Sequence, residues 1–119
     1  MTWKACVSFT RPISGQRPGI GIITQLSSSP LIILSFGPHA ARLELMHRPD
    51  VITSSPSRGL VKSITHVAFS VDSKETVDSL TDRLRTEGYT IFSEARTTGD
   101  GYYESVVLDP EGNHLELTA

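Results

Sequence analysis

The two halves of this 119-residue chain end in the same way, and that limits its fold more than any other feature. Phe36-Gly37-Pro38-His39-Ala40-Ala41-Arg42-Leu43-Glu44-Leu45 returns 72 residues later as Leu108-Asp109-Pro110-Glu111-Gly112-Asn113-His114-Leu115-Glu116-Leu117. Each copy reads as a strand, a tight turn on Pro and a small residue, and a second strand with one Glu between two Leu. Self-similarity at a fixed period marks a duplicated supersecondary unit. Side chains alternate faces along a strand, so Leu43 and Leu45 share one face and Glu44 takes the other. Leu115, Leu117 and Glu116 repeat the pattern. A fold that twice aims a carboxylate at the polar face of a sheet is a candidate two-carboxylate site.

Composition narrows the class. The length suits one domain (1–119) with one modest core. The net charge of −2 comes without a basic stripe, which argues against a nucleic-acid partner. One cysteine, Cys6, cannot form an internal disulfide and fits a reducing compartment. No apolar run nears the ~20 residues of a membrane helix, and the N-terminus carries no signal pattern. The expectation is therefore a cytoplasmic protein with no membrane partner.

The second half reads as a complete module over 62–119. His66 to Val71 alternates with Val67, Phe69 and Val71 on one face, the pattern of a half-buried strand. Asp72 is placed to cap a helix with Glu75 in the capping box. Val77, Leu80 and Leu84 follow at helical spacing, and Gly88 ends the helix. The helix is expected near Ser73 to Glu87. Strands are expected at Tyr89–Ser93, Tyr102–Leu108 and Asn113–Thr118, with Thr98-Gly99-Asp100-Gly101 as a turn.

The first half (1–47) matches only in part, and 48–61 reads as a linker. Lys4 to Phe9 overlays His66 to Val71, with Ala5, Val7 and Phe9 on one face. Lys4 to Glu44 is, however, 40 residues where His66 to Glu116 is 50. Arg11 to Gly19 holds two prolines and two glycines, so residues 10–18 are not expected to be helical. Gly19–Leu26, Leu31–Phe36 and Arg42–Met46 are the expected strands, with a turn over Ser27 to Pro30. The first module is a degenerate copy that has lost most or all of its helix.

This tandem pattern resembles the vicinal oxygen chelate superfamily, which includes glyoxalase I, bleomycin-resistance proteins and extradiol dioxygenases. The residues that carry the likeness are His66-Val67-Ala68-Phe69, Ala41 to Met46, and Gly101-Tyr102-Tyr103-Glu104 running into Leu108 to Leu117. The resemblance implies an α+β fold of two βαβββ modules that form a curved mixed sheet around a cleft. It implies Glu44, His66 and Glu116 as ligands of a divalent metal (Zn, Ni, Mn or Fe), with Glu116 or Glu44 as catalytic base, in a metal-dependent lyase of the glyoxalase I type. Such a site polarises vicinal oxygens of a small-molecule substrate and moves the adjacent proton.

The first ligand position of the resemblance falls on Lys4, whose ammonium has no lone pair to give a metal. Lys4 is either a solvated strand residue or a neutralising partner of Glu44 and Glu116. A metal-free protein that sequesters a small molecule, and a rearranged, inactive relative, are the alternatives. His114, two residues before Glu116 on the same face, is read as a surface residue, the alternative being a part in the cleft or in place of a ligand. Tyr102 and Tyr103 are read as sheet packing, and His39 and His47 are given no role. A homodimer is expected, because a sheet without its helix leaves Ala5, Val7, Phe9, Leu43 and Leu45 uncovered.

Overall fold

The computed structural model describes residues 21–26, 30–36, 39, 41–46, 50 and 64–119. Lys4, Cys6, the 10–18 stretch and His47 lie outside the described residues. The chain divides into two compact units, 1–53 and 54–119.

The first unit holds three strands, β1 (Gly21–Leu26), β2 (Pro30–Ser35) and β3 (Arg42–Met46), in an antiparallel sheet of order β1-β2-β3. Cross-strand partners share a face, so Leu34 lies beside Leu43, and Glu44 opposite Ile33 on the other side. Leu34 is buried and Glu44 is exposed, as the alternation requires.

The second unit is β4 (His66–Ser70), helix α1 (Lys74–Thr86), β5 (Ile91–Thr97), β6 (Tyr103–Leu108) and β7 (His114–Thr118). Its mixed sheet has the order β4-β7-β6-β5, with β4 and β7 parallel and the other pairs antiparallel. The architecture is thus α+β, with one helix among the described residues. Ser73, not Asp72, is the helix N-cap: it has extended backbone angles and its Oγ accepts from the Thr76 N–H. The cap thus falls one residue later than the sequence suggests, and its hydroxyl satisfies a donor that the helix leaves open.

Helix α1 packs over β5 and β6. Val77, Leu84, Val107 and Leu117 form the core between them. Two hydroxyls are buried with them: Thr81 Oγ1 donates to the Val77 carbonyl at 2.7 Å and meets Ser105 Oγ at 2.6 Å. The pair ties helix to sheet without stranding a polar atom. Tyr103 adds a second tie, its hydroxyl donating to Asp78 at 2.8 Å while the Lys74 ammonium lies over its ring. Tyr102, by contrast, is exposed.

The turn between β6 and β7 fixes the register of the closing strand. Asp109 Oδ1 accepts from the N–H groups of Glu111 and Asn113, both at 2.8 Å, and Oδ2 accepts from the Asn113 side chain at 2.7 Å. Gly112 takes a φ of 82°, which only glycine adopts at little cost. A one-residue slip would turn every β7 side chain to the wrong face, so this turn decides where Glu116 points.

Candidate functional site

Helix α1 covers one face of the second sheet. The register assigns Val67, Phe69, Ser105, Val107, Leu115 and Leu117 to that face. The opposite face receives His66 and Ala68 from β4, His114 and Glu116 from β7, and Glu104, Val106 and Leu108 from β6. Arg96 of β5 pairs with Glu104 and joins them.

One charged or ionisable side chain from each strand lines up across this face. His66 Nε2 faces Glu116 Oε2 at 3.7 Å. The Glu104 carboxyl is the diagonal neighbour of Glu116 on β6, and its charge acts on Glu116. Arg96 Nη2 lies 3.6 Å from Glu104 Oε1, and Nη1 donates to Ser93 Oγ. The two carboxylates are well covered, with side chains 17% and 15% exposed, whereas His66 and Arg96 are about half open. Thr65 Oγ1 contacts His66 Nδ1 at 3.0 Å, which leaves Nε2 as the nitrogen turned to Glu116.

Burial pushes the Glu116 carboxyl above the usual carboxylate range. The charge of Glu104 adds to the rise, the facing His66 opposes it, and Asp100 raises it further. A raised folded-state value means that the folded chain holds its proton to higher pH than the unfolded chain. The stability this group contributes is full below its unfolded value and is lost as pH rises through the folded one. Glu116→Gln is therefore expected to stabilise the protein at neutral pH and to remove that part of the slope of a thermal melt against pH. An unchanged slope would count against the carboxyl pair.

Of the residues singled out from sequence, His66 and Glu116 are brought together. Glu44 is an exposed residue of β3 in the first unit. His114 is more than a surface residue: its ring stacks on Phe92, centroids 4.3 Å apart, on the same face as Glu116. Glu104 and Arg96 were not expected at the site. Glu104 stands in the Gly101-Tyr102-Tyr103-Glu104 segment, where alternation from Tyr103 would have put it on the face opposite the helix. Arg96 carries no comparable signal.

Among the described residues no three His, Cys, Asp or Glu side chains converge as a metal-binding group. His66 and Glu116 do supply an imidazole nitrogen and a carboxylate oxygen at close approach, the donor types that suit divalent ions of intermediate hardness. A cation beside Glu116 would also offset the burial and the Glu104 charge that raise its pKa. The pair therefore fits a divalent ion as part of a donor set. A groove lined by Asp78, Asp82 and Glu94 lies on the helix side, and Arg85 bridges Asp82 and Glu94 there.

A strand-helix-three-strand unit that closes on an Asp-Pro-Glu-Gly turn and sets His and Glu on the face opposite its helix defines a recognisable class. Residues 20–117 match the model of the Glyoxalase/Bleomycin resistance protein/Dioxygenase superfamily, and the chain belongs to that family. It is 36% identical over 59 residues to the uncharacterized protein YqjT of Bacillus subtilis (strain 168), a match spanning 47% of this chain and 46% of that protein. The chain thus spans about half the length of this curated relative. Among solved structures, a glyoxalase-related enzyme from Fulvimarina pelagi aligns with a TM-score of 0.66 at 21% identity, covering 98% of this chain and 79% of that one. Lactoylglutathione lyase from Agrobacterium tumefaciens aligns at 0.61 with 20% identity, covering 97% and 83%. At these identities the likeness shows the fold. No helix among the described residues is long and apolar enough to cross a membrane.

Proposed function

We propose that this chain is a glyoxalase-like small-molecule enzyme whose reaction takes place on the face of the second sheet opposite the helix, in the cytoplasm. The observation that carries this reading is the close pairing of His66 and Glu116 on a face that the helix does not cover. His66 and Glu116 would hold a divalent ion as part of a donor set, and Glu44 keeps the ligand role that the family resemblance implies for it. Such an ion supplies Lewis-acid polarisation of a ligand oxygen. Glu116 takes the proton from the carbon alpha to the polarised carbonyl. The Phe92–His114 stack offers an apolar wall beside it.

Lactoylglutathione, named in one structural neighbour, is the first substrate to try. Its lactoyl α-proton should exchange with deuterium in D₂O when the Zn²⁺-supplemented protein is present, and the proton signal reports this directly. No exchange with this compound or other small thioesters and α-hydroxyketones would remove the reading.

The metal-free sequestration reading draws on Lys4, which replaces a ligand of the family pattern. Metal retained on purification is accordingly expected to be weak, and Lys4→His is expected to raise divalent-ion affinity. Tight stoichiometric metal in the natural sequence, unchanged by Lys4→His, would show that Lys4 does not stand at the first ligand position. We propose a homodimer as well, on the family resemblance and the apolar face expected over Ala5, Val7 and Phe9. Sedimentation at micromolar concentration should give twice the chain mass; a stable monomer would refute it.

A further inference from the structure

Sequence resemblance picks out Glu116 and His66 but gives no part to the two groups that follow them across the sheet. We infer that Glu104 and Arg96 are positioning residues: Arg96 fixes Glu104, and Glu104 holds the Glu116 carboxyl in front of His66. This rests on the proposed function of that face and names what sets up its central carboxylate.

The geometry supports a chain of contacts. Glu104 and Glu116 stand on adjacent strands, offset by two residues in register, so their side chains are diagonal neighbours on one face. Both are largely shielded from solvent. Two carboxylates left together in such a place repel unless something intervenes. Arg96 is the cation on the far side, 3.6 Å from Glu104 and itself steadied by Ser93. With Glu104 turned towards Arg96, Glu116 keeps an oxygen towards His66 Nε2. Bulges in β5 between Ile91 and Ser93 and between Ser93 and Arg96 bring Arg96 opposite Glu104. Bulges commonly re-aim a side chain beside a functional site.

A glutamine at 104 can replace both contacts, since its carbonyl accepts from Arg96 and its amide donates to Glu116. An alanine can replace neither. The sign of the Arg96 effect separates positioning from simple electrostatics. Removing a nearby positive charge should strengthen cation binding if only the field matters, and weaken it if Arg96 sets up the site.

The test is Mn²⁺ affinity by electron paramagnetic resonance in the natural protein and in Glu104→Ala, Glu104→Gln and Arg96→Ala. The variants' folds are checked by circular dichroism. Groups behind a metal ligand typically contribute about 10–100-fold to affinity. Glu104→Ala and Arg96→Ala should each lose on the order of 10-fold or more, with Glu104→Gln restored to within about threefold of the natural chain. Tighter binding in Arg96→Ala, or equal losses in Glu104→Gln and Glu104→Ala, would overturn the proposal. A metal-free readout runs beside it: the ¹⁵N shift of His66 Nε2 should change in both alanine variants and return in Glu104→Gln. If the natural chain binds no Mn²⁺, the metal part of the proposed function fails. The His66 shift then decides positioning alone, and an unmoved shift refutes it.

Discussion

Glu116→Gln should slow α-proton exchange of a bound thioester by about 10²–10⁴-fold, the usual contribution of a positioned general base. The substitution keeps the size of the side chain and its ability to hydrogen-bond Glu104, and it deletes the basic oxygen. Because Glu116 sits among polar neighbours and not in the apolar core, the fold should survive; the loss of repulsion with Glu104 should even favour it. The combination of a more stable protein and a lost reaction is what separates a catalytic carboxylate from a structural one. Exchange that persists at the natural rate would take Glu116 out of the chemistry.

Leu84→Ala should have the largest effect on stability, about 2–5 kcal/mol in a denaturant melt followed by the helical signal. Leu84 is 3% exposed and lies on the α1 stripe with Val77, which is fully buried against the sheet. Truncation removes transfer energy and leaves a cavity that a helix pinned by Thr81, Ser105 and Tyr103 cannot readily close. Because the helix covers the face opposite Glu116, weakening this layer should lower stability before it changes ligand binding. A cost under about 1 kcal/mol would mean that the helix is not the main cover of the sheet.

Much of the second unit was legible because its signals are local. Val77, Leu80 and Leu84 mark the helix, Gly88 its end, and the Leu-Glu-Leu alternation the closing strand. The cap shifted from Asp72 to Ser73 because either short polar side chain can serve and only backbone geometry chooses. Strand β5 was expected at Tyr89–Ser93 and runs over Ile91–Thr97, where two register shifts interrupt the period-two alternation of a regular strand. The same shifts hid Arg96. The link from Glu104 to Glu116 depends on a register set by the Asp109 turn, and no spacing along one strand records it. The reading of the first half as a module without its helix rests on residues outside those described.

The most direct test of the claim that the face opposite the helix is the functional one is to localise ion binding in a Mn²⁺ titration followed by ¹H–¹⁵N correlation spectra. Millimolar Mn²⁺ should broaden the signals of His66, Ala68, Val106 and Glu116 first and leave the helix-side groove around Asp82 and Glu94 sharp. Broadening centred on that helix-side groove, or none at His66 and Glu116 at saturating ion, would contradict it.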